Sequence, residues 1–139
     1  MDMESQSIEL VDSNGKLHQA EMRRWDEAPD NEDEVLIEIA VGDTIFRGAS
    51  DRGYFHAFCE IRRQLEPLGM MPRCFAACEN VYPSPMIESM GCGEKAYSLT
   101  LGKQAKTCDL VEVFDTSEEI CPVSVDQQKE FYERWIESL

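Results

Sequence analysis

The chain has 139 residues, a hydrophobic fraction of 42% and a formal net charge of −15. That length and apolar content suit a single folded domain with its own core, and they exclude a disordered chain or one that needs metal or disulfide staples. The charge, 28 acids against 13 bases, argues against nucleic acid and anionic membrane as partners, because both present phosphates that would repel it; it serves either to attract a basic protein partner or only to keep the chain soluble and monomeric.

The charge is unevenly spread. Residues 1–50 carry 13 acids and 4 bases, residues 51–110 carry 7 of each, and residues 111–139 carry 8 acids and 2 bases. The two ends are acidic and the middle is neutral. The opening MDMESQSIEL has neither a basic stretch nor an apolar run. No segment approaches the roughly 18 apolar residues of a membrane span. A cytoplasmic location is the expectation.

Six cysteines are spread along the chain. With no export signal they read as free thiols, several of them small buried hydrophobes. Cys74 and Cys78 lack a second close pair, and neither His18 nor His56 lies near them in sequence, so no zinc site and no cofactor is expected.

In chain order, Ser7 to Val11 alternates as a strand, and Ser13-Asn14-Gly15 is a strong turn signal. Leu17 to Trp25 returns from it. Asp26 to Glu34 (DEAPDNEDE) holds six acids in nine residues and reads as a solvated loop. Val35 to Val41 is the best strand by its β-branched content. Gly42-Asp43 then turns it into Thr44 to Arg47. The first fifty residues thus form an antiparallel meander.

A helix follows, with Ser50 or Asp51 as the candidate N-cap. Tyr54, Phe55, Phe58, Ile61, Leu65 and Leu68 form its apolar stripe, and Arg62 and Arg63 are placed off it. Gly69 closes it. Arg73 to Cys78 (RCFAAC) reads as a short buried strand. Lys95 to Leu101 and Leu110 to Phe114 are further strands. Ser124 and Gln127 fit a capping box for a last helix, whose stripe is Phe131, Tyr132, Trp135, Ile136 and Leu139. The fold class is α+β: a mostly antiparallel sheet with two main helices, approximately 51–68 and 124–138.

Candidate chemistry is sparse. Gly91-x-Gly93-x-Lys95 lacks the Gly-Lys-Ser/Thr opening a helix that a phosphate loop requires, and reads as a tight turn. No Gly-x-Ser-x-Gly occurs. Cys92, in a glycine turn, would need a base beside it to act as a nucleophile, and no histidine is near in sequence. His56 falls on the first helix, where a partly buried, satisfied ring is the ordinary outcome. The irregular run from Asn80 to Gly93 suits either a functional loop or a structural one clamped against a sheet, with the structural reading ahead.

The run NVYPSPMIESMGCGEKAYSLTLGKQA and the ending DQQKEFYERWIESL resemble a family of small acidic bacterial proteins with a core of the form N-V-Y-P-S-x-M…S-M-G-x-G…A-Y-x-L-x-x-G. The resemblance covers residues 50–139. Such proteins occur near polymorphic or Rhs-type toxin genes, so the resemblance implies an immunity role, with no catalytic residue to carry over. The leading expectation is a non-enzymatic module that binds a basic partner through Asp26, Glu27, Asp30, Glu32, Asp33 and Glu34, with the acidic last helix as a second surface. The alternative is a small enzyme or small-molecule binder using the loop 80–95, with Tyr82, Ser84, Ser89, Cys92 and Lys95 as its polar groups. A third is an assembly subunit, which would need an exposed apolar patch.

Overall fold

Asp12 builds the first turn. Its carboxylate accepts from the N–H groups of Asn14 and Lys16, both at 2.9 Å, and pairs with His18 Nε2 at 2.9 Å. The His18 contact, then the Lys16 N–H, holds this carboxyl below the ordinary Asp value. Gly15 takes the left-handed conformation the turn needs, at φ 82°. Around this turn β1 (Met3–Asp12) pairs antiparallel with β2 (Leu17–Trp25), in register from Met3 opposite Trp25 to Val11 opposite Leu17.

The computed structural model describes residues 3–85 and 93–139. Within them β3 (Val35–Val41) and β4 (Thr44–Ser50) extend the sheet beyond β2, and β5 (Met70–Pro72) adds to the free side of β1. The order is β4-β3-β2-β1-β5, all antiparallel. A smaller antiparallel sheet has the order β6-β7-β8, from β6 (Val81–Tyr82), β7 (Lys95–Ser98) and β8 (Leu110–Glu112). With α1 (Tyr54–Leu65) and α2 (Val125–Glu137) this is an α+β fold, mostly sheet. No helix among the described residues is long and apolar enough to cross a membrane.

Strand alternation sorts the side chains. Ile8, Leu10, Ala20, Met22, Val35, Ile37, Ile39 and Phe46 are buried beneath α1. On the opposite face Glu38 is gripped between two cross-strand cations, Arg47 at 2.5 Å and Arg23 at 3.9 Å. From α1, Tyr54, Phe55, Phe58, Ile61 and Leu65 enter the same core, each contributing about 2 kcal/mol by area removed from water. One cluster of buried residues runs on into the second sheet through Val81, Ala96 and Val113.

Several expectations need correction. Neither Ser50 nor Asp51 caps α1. The N-cap is Gly53, at φ 100°, and the Ser50 hydroxyl accepts from Arg52 N–H instead. The helical run still falls close to the expected 51–68, as α-helix over Tyr54–Leu65 and a 3₁₀ turn over Glu66–Leu68 that Gly69 closes. Pro67 lacks the N–H that would continue the α-helix, so Glu66–Leu68 winds as a 3₁₀ turn and Leu68 is 59% exposed. Residues 73–78 are not a strand. Phe75–Ala77 is a second 3₁₀ turn, held because Phe75 and Ala76 donate to the carbonyls of Asp115 and Val113. Arg62 is buried rather than off the stripe, and in α2 the buried residues are Val125 and Gln128 while Ile136 and Leu139 stay exposed. The Ser124–Gln127 capping box is present as expected, and the Val125 N–H donates to Glu66 Oε2 at 2.8 Å, tying the start of α2 to the end of α1.

Gly48 sets how closely α1 lies on β4. A Cβ at this position would stand 2.2 Å from the Ala57 carbonyl oxygen, a backbone atom that cannot swing aside. Gly48→Ala is expected to cost about 3 kcal/mol in urea unfolding, by forcing helix and strand apart. A loss under about 0.5 kcal/mol would show the helix free to shift.

Candidate functional site

The two helices meet at a buried arginine. Arg62 is 1% exposed. Its guanidinium donates to Gln128 Oε1 at 2.6 Å, to the Ala76 carbonyl at 3.0 Å and to the Val123 carbonyl at 2.9 Å. Gln128, also 1% exposed, turns its amide nitrogen to the carbonyls of Ala76, Cys78 and Val81 at 2.8, 2.8 and 2.9 Å. No carboxylate pairs with Arg62 within 4.0 Å among the described residues, and its Nε has no hydrogen-bond partner there. Neutral carbonyl dipoles do the work that an acid would usually do for a buried cation. Because the joint holds the Val81 carbonyl, it fixes the next residue, Tyr82.

Tyr82 is the hinge between two depressions. Its ring meets Phe55 edge-on at 5.1 Å and stacks on Tyr132 at 4.1 Å, and Tyr132 continues to Trp135 at 6.0 Å. Trp135 is anchored by its indole N–H to the Lys103 carbonyl at 2.9 Å. Along these rings runs a groove of about 380 Å³ that Ser84 and Tyr97 also line. On the other side of Tyr82, between α1 and α2, lies a cleft of about 500 Å³ whose walls include Arg52, His56, Arg63 and Lys129. Both volumes fall in the range of small-ligand sites.

The acidic turn between β2 and β3 is ordered. Asp26 accepts from the Tyr54 hydroxyl on α1. Ala28 is 4% exposed and its N–H donates to the Glu34 carbonyl at 2.8 Å. Asn31 N–H bonds back to Ala28, Asp33 N–H donates to Asn31 Oδ1 at 3.0 Å, and the Asn31 amide donates to Glu34 Oε1 at 3.1 Å. These contacts leave Glu27, Asp30, Glu32 and Asp33 exposed on a fixed backbone. None of the four takes part in an ion pair within 4.0 Å among the described residues. The sequence showed the charge of this loop and missed its order, which comes from Tyr54 and from the buried Ala28.

Of the alternative set, Tyr82 and Ser84 line the aromatic groove. Lys95 does not join them; it reaches across the second sheet to Glu112 at 3.8 Å. Ser89 and Cys92 lie outside the described residues. Sequence reasoning missed Arg62 and Gln128, although Arg62 stands four residues after Phe58 and Gln128 four before Tyr132, on the very stripes that were read. It also missed the convergence of Arg63 and Lys129, which the packing of two distant helices creates, with Arg52 from the connection before α1. No group of three or more potential metal ligands occurs among the described residues. Compared with known proteins, no protein-family model matches the chain and no curated protein matches it significantly.

The described cysteines are free. Burial pushes Cys74 up to about 12 and also raises Cys59 and Cys78, which leaves all three as protonated, unreactive thiols near neutral pH. Alkylation of the native protein at about pH 8 is expected to label Cys108 and Cys121, with Cys74 labelled only in denaturant. Labelling of Cys74 at the same rate as Cys108 would contradict its burial. The linkage has a definite sign. A thiol raised by burial costs nothing below its unfolded value of 9.0, and stability is lost as pH climbs from there towards about 12.

Proposed function

We propose that the protein is a non-enzymatic binding module that docks a basic protein partner, as an immunity protein does with a basic toxin, through the acidic β2–β3 turn. The observation that carries this reading is the fixed backbone under Glu27, Asp30, Glu32 and Asp33. Four exposed carboxylates within residues 27–33 repel one another, and a turn serving only hydration gains nothing from being ordered by contacts to a helix and to the core. A pre-ordered surface loses little conformational entropy on docking. Its field adds to that of a chain at −15 and speeds encounter with a cationic surface. The same class of partner is what the resemblance expected from the sequence of residues 50–139, which do not include the turn, would imply.

The test replaces all four acids at once, as Glu27→Gln, Asp30→Asn, Glu32→Gln and Asp33→Asn. Affinity capture from the native cell at low salt is expected to retain basic proteins that elute as salt rises, with the variant retaining them about tenfold less well or worse. Equal retention by the variant, or retention that salt does not weaken, contradicts the reading.

A second reading, a small-molecule binder, is favoured by the aromatic groove that Tyr82 and Ser84 share with Tyr97, Tyr132 and Trp135. Stacked rings offer a flat apolar platform with hydroxyls at its edge. If that groove is occupied in function, Tyr132→Ala abolishes ligand-induced quenching of Trp135 fluorescence while the acidic-turn interaction is kept. Unchanged quenching in that variant counts against the groove.

A further inference from the structure

We propose that the cleft between α1 and α2 binds a small organic phosphate, with Arg63 and Lys129 contacting the phosphoryl oxygens and the Tyr82 ring forming the wall for the organic part. The first ground is charge segregation. Three of the chain's 13 Lys and Arg residues, Arg52, Arg63 and Lys129, line this one cleft with His56; among the described residues the acids at it are Glu60 in the wall and Asp126 paired with Arg63. In a chain at −15 that is a local reversal of sign. Cations gathered this way repel each other, and a dianionic ligand removes that repulsion.

The second ground lies beneath the cleft. Gln128 forms part of its lining and is hydrogen-bonded to Arg62, the buried guanidinium that has no carboxylate partner among the described residues. A buried positive charge, met by neutral oxygens alone among the described residues, therefore backs the site at one side chain's remove. The first turn of α2 closes this side through Val125, whose N–H is already bonded to Glu66 Oε2 at 2.8 Å.

The third ground is availability. Arg63 has one ion pair, a loose 3.6 Å contact to Asp126, whose side chain is 82% exposed. Such a surface pair contributes little and gives way to a better acceptor. Lys129 is exposed and takes part in no ion pair within 4.0 Å among the described residues. A cleft of about 500 Å³ is larger than a bare oxyanion needs, which leaves room for a carrier group against Tyr82. No residue of the acidic turn belongs to this site, so the two readings fail independently.

The test is titration of the full chain by two-dimensional NMR with phenyl phosphate, inorganic phosphate and benzoate, each against sodium chloride at matched ionic strength. Saturable shifts are expected around Arg63, Tyr82 and Lys129, with phenyl phosphate tighter than inorganic phosphate and benzoate weakest. Arg63→Gln with Lys129→Gln removes two exposed side chains without touching the core, and is expected to weaken phenyl phosphate binding about tenfold or more per lost charge-assisted contact. Unchanged melting and an unchanged acidic-turn interaction confirm that the variant is folded. Three results overturn the proposal: no saturable shift, shifts that chloride reproduces, or binding that survives the double substitution. Benzoate binding as tightly as phenyl phosphate overturns the phosphoryl assignment.

Discussion

The arrangement of this protein depends on one buried cation. Arg62 enters the interior with no ion-paired acid among the described residues and is met by the Gln128 side chain and two main-chain carbonyls. Removing a guanidinium from water costs several kcal/mol, and neutral acceptors offset that cost only if they are aimed at it. The chain meets this demand from three separate places: the 3₁₀ turn at Phe75–Ala77, the residue before the Ser124 cap, and the inner face of α2. The local geometry of each follows from having to present an oxygen. The turn at residues 75–77 is bent so that the Ala76 carbonyl points inward, where a strand would have aimed it at a neighbour.

That demand propagates to the surface. Gln128 holds the Val81 carbonyl, so Tyr82 is set against both Phe55 and Tyr132. The ring then divides the space between the helices into an aromatic groove and a cationic cleft. Elsewhere the first sheet is built on other terms, by alternating strands over α1 and by ion pairs around Glu38 on its outer face. The acidic turn belongs to this sheet and is pinned to α1 by Tyr54. The charge of the molecule is therefore sorted by architecture: carboxylates on a strand connection, arginines and lysine where two helices approach.

Much of the sheet was legible because period-two alternation and Asn14-Gly15 are local signals that no distant contact needs to support. The Ser124–Gln127 box was legible for the same reason. Arg62 was not, because a charged residue on an apolar stripe is normally read as lying at its edge, and its satisfying partners are 14, 61 and 66 residues away. The RCFAAC run was misread because its apolar content fits a buried strand equally well; the carbonyl it must supply to Arg62 is invisible in the sequence. The Ser50 and Asp51 hydroxyl and carboxylate looked like caps, but Gly53 alone tolerates the φ of 100° at the actual entry to α1. As for the candidate site, the acids of the turn and Tyr82 with Ser84 could be picked out by composition. Their order and their neighbours could not.

Native-state hydrogen exchange on Arg62→Met tests this account most directly, since methionine keeps most of the side chain's volume and removes every donor. The orphaned carbonyls and the Gln128 amide then weaken the seam between α2 and residues 76–81, by about 3 kcal/mol or roughly a hundredfold in exchange rate. Amides of α2 and of β6–β8 are predicted to lose protection at low denaturant while those of β1–β4 keep theirs. Equal loss in both groups, or full protection of α2, would contradict the claim that this guanidinium fastens the second half of the fold.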